Sequence, residues 1–161
     1  MEFTTLFTMQ RDLDAFIQSN QDVKKDVFQE KGLALLVELA ELANETRCFK
    51  FWSTKGPSER EIILEEYVDS IHFILSLGIE KDLDVLEEWP TGEIDGELTE
   101  LFLKTVAAVQ KFISETTMEN YKDVWIHYGS IAMNLGFSYK EIIKAYIDKN
   151  EKNYRRQQTG Y

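Results

Sequence analysis

Four carboxylates in two pairs are the residues of this sequence that could most readily do chemistry. Glu38 and Glu41 lie three residues apart, and so do Glu66 and Asp69. On an α-helix this spacing places two side chains about 60° apart, so each pair shares one helix face. The first pair carries the only charges between residues 32 and 43, in an otherwise apolar segment. A helix that is apolar nearly all round is buried, and buried carboxylates need a cationic partner.

The two acidic pairs together predict a metal site. If their helices pack antiparallel, four carboxylates converge, and like charges at close range repel strongly in a low dielectric. A hard divalent cation with oxygen ligands relieves this repulsion, which points to Mg²⁺ or Mn²⁺. Glu65 lies about 100° round the helix from Glu66 and is interpreted as structural.

Two other interpretations of the acidic residues stay open at this point. In the first, each carboxylate pairs with a nearby Lys or Arg or points to solvent. In the second, Asp69 and His72 form half of a di-iron site in a helical bundle. That architecture needs a second carboxylate-x-x-His pair, and the other histidine, His127, has Val124 in the required position.

The apolar spacing predicts that these residues are carried by an all-α helical bundle, a single domain over residues 1–161. The predicted helices span about 4–19, 23–49, 58–78, 98–115, 119–135 and 138–156, with a short helix over 81–89. Ser58 with Glu61 has the spacing of a capping box, and so does Ser138 with Glu141. Gly136 is the predicted end of the fifth long helix.

Composition excludes several classes of protein. Lys and Arg total 18 against 29 Asp and Glu, a net charge of −11, which argues against binding of a nucleic acid polymer. No segment approaches the roughly 18 apolar residues of a membrane span. The N-terminus lacks the basic and apolar regions of a signal peptide, so we expect a cytoplasmic protein. The single cysteine, Cys48, excludes an internal disulfide.

The last predicted helix carries a stripe of phosphate-binding side chains. Lys149, Asn153 and Arg156 fall within an arc of about 60° and offer cationic and amide donors. The alternative is a solvated terminal helix whose positive end offsets its dipole. The aromatic segment 49–52 (Phe-Lys-Phe-Trp) is similarly ambiguous: it is either a hydrophobic plug at the end of the second helix or a platform for a base.

These features together resemble the all-α, dimeric dUTPase family, which is related to the MazG-like nucleoside triphosphate pyrophosphohydrolases. The pattern E-x-x-E followed by E-x-x-D is the shared element, with the aromatic segment 49–52 between the pairs. The run from Tyr146 to Tyr161 is similar to the family's Y-x-x-K-N-x-x-N-x-x-R-Q-x-x-G-Y motif. Residues 10–14 resemble its Q-x-x-L-N/D element, with Asp14 where many members carry Asn.

The resemblance implies a Mg²⁺-dependent pyrophosphohydrolase that cleaves dUTP, with dUDP as a further substrate, and acts as a homodimer. A metal-activated water attacks the triphosphate, one of the glutamates takes its proton, and dUMP and pyrophosphate leave. By the same resemblance, Glu38, Glu41, Glu66 and Asp69 are catalytic and hold more than one Mg²⁺, with Mn²⁺ as a substitute. The implied substrate-binding residues are Gln10, Asp14, Lys50, Trp52, His72, Lys149, Asn153, Arg156 and Tyr161.

Two functions of other kinds remain as alternatives. One is a sibling pyrophosphohydrolase that acts on another nucleotide such as dCTP. The other is a non-catalytic helical interaction protein with a regulatory role, although such a protein has no need for matched acidic pairs.

Overall fold

The structure is a computed structural model that describes residues 3–22 and 26–160. Over these residues the chain forms six helices and no β-strand, so the predicted all-α class is confirmed. In chain order they are α1 (Phe3–Gln21), α2 (Phe28–Thr46), α3 (Arg60–Glu80), α4 (Leu98–Ser114), α5 (Met118–Leu135) and α6 (Tyr139–Gln158). None of these helices is long and apolar enough to cross a membrane.

The second helix is shorter than its apolar pattern predicts. Its predicted start at Val23 lies outside the described residues, and Asp26 and Val27 are not helical. The Asp26 carboxylate instead accepts the backbone N–H of Phe28, where α2 begins. At the other end Arg47 takes a left-handed conformation with φ of 57°, which ends the helix at Thr46, three residues before the predicted end at Phe49. The aromatic segment therefore follows α2 in a turn.

Two further expectations about helix starts and ends are wrong. Ser58 does not cap α3, because its hydroxyl donates to the Glu45 carboxylate across the loop, and the helix begins at Arg60. The short helix predicted over 81–89 is absent, since Asp82 has φ of 56° and the segment continues in turns.

The predicted start of α6 and the predicted end of α5 are confirmed. Ser138 and Glu141 form a complete capping box at the start of α6, and Gly136 ends α5 with φ of 70°.

An antiparallel hairpin of α2 and α3 is the centre of the structure. The Ser58 N–H donates to the Glu45 carbonyl at 3.0 Å at one end of the pair. At the other end Lys31 near the start of α2 bonds Glu80 in the last turn of α3. The apolar stripe of α2 is fully buried in this contact: Leu35, Leu39 and Leu42. The acidic residues of both helices consequently lie at the same level.

The remaining helices pack around this hairpin. Helices α1 and α6 contact α3 and each other, while α4 and α5 pair together and α4 contacts α2. Gly78 lets α5 come close to α3: a Cβ there would clash with the Tyr121 phenol, whose hydroxyl donates to the Ile74 carbonyl at 2.9 Å. Because α1, α3 and α6 contact one another, they enclose a space next to the acidic residues of the hairpin.

Candidate active site

Three carboxylates from the central hairpin form a cluster. One oxygen each of Glu38 on α2 and of Glu66 and Asp69 on α3 lies within 4.8 Å of the other two. All three side chains are half-buried. Glu41 lies beside this acidic cluster on the exposed side of α2, close enough to contribute to the pKa of Glu38. The condition set for convergence, antiparallel packing of the two helices, is met, and it brings three of the four acids into direct proximity, with the fourth at the edge.

Burial and mutual repulsion raise the pKa values of the acidic cluster. Desolvation and the negative charge of Asp69 raise the pKa of Glu38 to about 8. The pKa of Glu66 is also raised, by burial and by Asp69. Burial raises the pKa of Asp69, while hydrogen bonding from Lys149 opposes it. A set of oxygen donors whose negative charges are held together in this way fits a hard divalent cation.

Lys149 of α6 supplies a positive charge at the border of the cluster. Its ammonium nitrogen lies 2.7 Å from Asp69 Oδ2 and 2.9 Å from Glu65 Oε1. Lys152 binds the same Glu65 oxygen at 2.7 Å, and hydrogen bonds from the two lysines lower the pKa of Glu65 to about 2. Glu65 therefore behaves as the structural acid that the sequence predicts. The ion-pair interpretation holds for Glu65 and, through Lys149, for one oxygen of Asp69.

A cavity of about 420 Å³ opens next to the acidic cluster and is lined by residues of α1, α2, α3 and α6. This volume is in the range of small-molecule sites. Glu38 and Asp69 lie in its wall. Six predicted substrate-binding residues line it as well: Gln10, Asp14, His72, Lys149, Asn153 and Arg156. The cavity thus combines acidic residues, cationic donors and neutral polar groups.

The neutral polar groups form a connected network. The His72 Nδ1 and the Tyr146 hydroxyl lie 2.7 and 2.9 Å from Gln10 Oε1. The Gln10 amide nitrogen donates to Asp14 at 2.8 Å. The His72 ring stacks on Tyr146 with the ring centres 4.2 Å apart. Burial lowers the pKa of His72 to about 3, so the ring is neutral.

Three predicted residues do not join this arrangement. Lys50 and Trp52 are not part of the cavity wall: the Lys50 ammonium lies 5.7 Å from the centre of the Phe49 ring, and Trp52 is 64% exposed. Tyr161 lies outside the described residues. The interpretation of segment 49–52 as a hydrophobic plug is wrong, because Phe51 is 93% exposed.

Sequence reasoning missed several residues of the site. Lys31 and Ser76 line the cavity, and Tyr146 supports it from behind His72. Ser76 follows His72 by one helical turn, a spacing that would have placed it on the same face. Lys31 directly precedes the apolar segment of α2, so its charge fell just outside the pattern. These residues hold the site together through hydrogen bonds and ring stacking.

An all-helical fold with a carboxylate cluster bordering a ligand-sized cavity defines an α-helical protein suited to a cation and a small anionic ligand. A family model described as dUTPase matches residues 2–161. The chain therefore belongs to the all-α dUTPase family. Comparison with curated proteins gave no match.

Membership of the family establishes the reaction. The chain is a dUTP diphosphatase with a nucleotide substrate, and the family's divalent metal requirement agrees with the acidic cluster present in the structure. The resemblance inferred from the acidic pairs and the C-terminal motif is thereby confirmed, against the sibling hydrolase and the non-catalytic protein.

Replacing Glu38 by Gln is expected to stabilise the protein when divalent ions are removed with EDTA. The pKa of Glu38 is raised from 4.5 to about 8, so the folded state favours the protonated carboxyl. The stability that this preference contributes is fully present below about pH 4.5 and is lost as the pH rises through 8, where the carboxyl becomes charged. The gain from Gln therefore grows between pH 5 and pH 8. After allowance for solvent screening it is on the order of 1 kcal/mol, measured by urea unfolding.

Glu61→Gln is the matched control, because Glu61 is an exposed acid on α3 away from the acidic cluster. The free energy of unfolding of Glu61→Gln should stay close to that of the unaltered protein over the same pH range. A loss of stability in Glu38→Gln at pH 8 would instead mean that Glu38 is held by a favourable ion pair.

Proposed function

We propose that the chain hydrolyses dUTP to dUMP and pyrophosphate with Mg²⁺ bound at the acidic cluster and the nucleotide in the adjoining cavity. The observation that carries this proposal is the proximity of two donor sets. Glu38 and Asp69, two members of the cluster, share a cavity wall with the phosphate-binding residues of α6. The reaction needs both sets close together, because its substrate is a polyanion that is cleaved with a divalent ion.

Glu38, Glu66 and Asp69 would hold the ion, with Mn²⁺ as a substitute for Mg²⁺. Glu41 lies beside Glu38 as a further oxygen donor, in line with more than one ion per site. When bound, Mg²⁺ supplies charge neutralisation to the triphosphate and lowers the pKa of a water molecule. A glutamate of the site accepts the proton of the attacking water.

The α6 residues Lys149, Asn153 and Arg156 would bind the phosphates. Lys149 bonds Asp69 and Glu65 simultaneously, so its ammonium lies at the junction between the acidic cluster and the cavity. Arg156 can grip phosphate oxygens with two parallel N–H groups, whereas an ammonium acts as a point charge. These three side chains would position the triphosphate against the carboxylates.

The network around His72 would bind the base. His72 Nε2 is buried and has no hydrogen-bond partner within the described structure. A neutral imidazole nitrogen without hydrogen is an acceptor, and the N3–H of uracil is a donor of matching type. Gln10 and Asp14 contribute through the same network. The substrate roles of Lys50, Trp52 and Tyr161 rest on the resemblance to the family.

A homodimer is the proposed assembly. Large apolar side chains are exposed on the neighbouring helices α2 and α4: Leu33 is 64% exposed, Val37 48% and Leu103 68%. Exposed apolar side chains on two helices that pack together favour an interaction surface on this side of the protein. The lone cysteine, Cys48, is a free thiol, in line with the reducing conditions of the cytoplasm that we propose as its location.

The function is tested by pyrophosphate release from dUTP, dCTP and dTTP with Mg²⁺ or with EDTA. We expect preferential turnover of dUTP that EDTA abolishes. Asp69→Asn keeps the shape of the side chain and removes the ligand charge, so it should fold and lose nearly all activity. Equal turnover of the three nucleotides would contradict the assignment of substrate, and full activity in EDTA would contradict the metal.

Arg156→Ala should slow hydrolysis while the fold stays intact. Loss of a charge-assisted contact costs about 1.5–3 kcal/mol, or roughly a tenfold to hundredfold decrease in kcat/KM. Arg156→Lys should restore only part of the activity, because it lacks the planar pair of donors. Lys140→Ala, an exposed residue in the first turn of α6, is the control and should be nearly silent. Similar kinetics for Arg156→Ala and Lys140→Ala would indicate that the stripe of phosphate-binding side chains on α6 is only a solvated helix face.

Light scattering at micromolar concentration should give the mass of a dimer, and Leu103→Glu should shift it to that of a monomer. A charge buried at an apolar interface loses its hydration without compensation. Val85→Glu is the matched control, since Val85 is 69% exposed on the segment after α3, away from α2 and α4. A monomeric mass for the unaltered protein would contradict the dimer.

A further inference from the structure

We propose that Tyr128 of α5 is a positioning residue for Glu38, one of the three carboxylates of the acidic cluster. Its hydroxyl donates a hydrogen bond to the Glu38 carboxylate from the core side when a divalent ion is bound at the cluster. This role rests on the metal binding proposed above. Among the described residues, α5 supplies none to the cluster or to the wall of the adjoining cavity, so the role is a new one for this helix.

Tyr128 lies against the part of α3 that carries the cluster. Tyr67, which directly follows Glu66, donates its hydroxyl hydrogen to the Tyr128 carbonyl at 2.7 Å. The centres of the two tyrosine rings lie 5.9 Å apart, and both side chains are completely buried. These contacts hold Tyr128 in the core at the level of α3 where Glu66 and Asp69 are placed.

Two buried hydroxyls at this level have no hydrogen-bond partner within the described structure. One is the hydroxyl of Tyr128, and the other belongs to Ser70, which directly follows Asp69 on α3. Ser70 is completely buried as well. A buried hydroxyl without a partner costs free energy, because it has lost its hydrogen bonds to water. Groups of this kind in a folded protein call for a role beyond packing.

The pKa of Tyr128 reflects the groups that surround its hydroxyl. Burial raises this pKa, the Ser70 side chain lowers it, and the negative charge of Glu38 raises it further. The Tyr128 hydroxyl therefore lies close to both the Ser70 side chain and the Glu38 carboxylate. Because the raised pKa keeps the phenol protonated at the pH values where Glu38 is ionised, a donor stands beside an acceptor.

Glu38 needs such a donor once it is ionised. One of its oxygens lies with oxygens of Glu66 and Asp69, on the side where an ion would bind. Glu41 also interacts with Glu38, but an ionised acid has no hydrogen to donate. Tyr128 can satisfy the remaining oxygen of Glu38 from the core. Donors behind a metal ligand fix its orientation, and their loss costs about tenfold to hundredfold in metal affinity.

Tyr128→Phe separates this role from a purely structural one. The substitution removes a single oxygen that has no partner in the metal-free protein, so it should leave the urea midpoint in EDTA unchanged or raise it. In the same variant the affinity for Mn²⁺, measured by calorimetry without nucleotide, should fall about tenfold or more. A weaker ion site in a protein of undiminished stability is the expected signature.

Tyr121→Phe is the matched control. Tyr121 is a completely buried tyrosine on the same helix, and its hydroxyl donates to the Ile74 carbonyl at 2.9 Å. Removing this satisfied hydroxyl should lower the urea midpoint and leave the Mn²⁺ affinity unchanged. Two chemically identical substitutions on α5 should therefore act on different quantities, one on ion binding and the other on stability.

The hydroxyl itself can be observed by ¹³C NMR of protein labelled at the tyrosine Cζ, whose chemical shift responds to hydrogen bonding of the phenol. Addition of Mg²⁺ without nucleotide should shift the Tyr128 resonance and leave that of Tyr121 in place. Each resonance is assigned as the signal missing from the corresponding Phe variant. If Tyr128→Phe does not fold, Ser70→Ala identifies the Tyr128 signal, because it removes the neighbouring hydroxyl.

Equal Mn²⁺ affinities of the unaltered protein and Tyr128→Phe would overturn this role and leave the proposed function standing. So would a Tyr128 resonance that does not respond to Mg²⁺. A loss of affinity of the same size in Tyr121→Phe would show that either substitution disturbs the packing of α5, and would overturn the role as well. Failure of the unaltered protein to bind Mn²⁺ would instead remove the metal site, and the role of Tyr128 with it.

Discussion

Repulsion among the carboxylates at the contact of α2 and α3 is the constraint around which this structure is organised. Packing the two helices antiparallel buries their apolar stripes and necessarily brings Glu38, Glu66 and Asp69 together. Burial of Leu35, Leu39 and Leu42 in the same contact offsets this electrostatic cost. Lys149 from α6 offsets part of the negative charge at Asp69. The divalent ion that we propose for this cluster would offset the rest, which would link stability, metal binding and catalysis in one place.

The cavity next to this contact has two chemically different parts. The charged part joins the acidic cluster to Lys149, and it suits a triphosphate with its metal. The neutral part is the network of Gln10, His72 and Tyr146, in which burial keeps the imidazole uncharged. A nucleotide has the same division, with an anionic end and a neutral base. Helices α1 and α6 supply side chains to this cavity, so their packing on α3 sets the distance between its parts.

The acidic cluster could be predicted from the sequence because the spacing of three residues is a local property of a helix. Its neighbours could not. Ser58 has the spacing of a helix cap, but its hydroxyl donates to Glu45 across the loop. Residues 81–89 have a helical apolar pattern, but the left-handed conformation of Asp82 prevents a helix there. His72 meets Gln10 across 62 residues, and Tyr146 meets Gln10 across 136. No local pattern encodes such contacts, since they depend on how whole helices pack.

The most direct test is the position of Mn²⁺ in crystals grown with a non-hydrolysable dUTP analogue. Anomalous scattering locates the ion independently of any assumption about the ligands. The account predicts an anomalous peak bounded by oxygens of Glu38, Glu66 and Asp69, with the phosphates of the analogue reaching it from the cavity side. A peak elsewhere, or ordered analogue with Lys149 still on Asp69 and no peak at the acidic cluster, would contradict it.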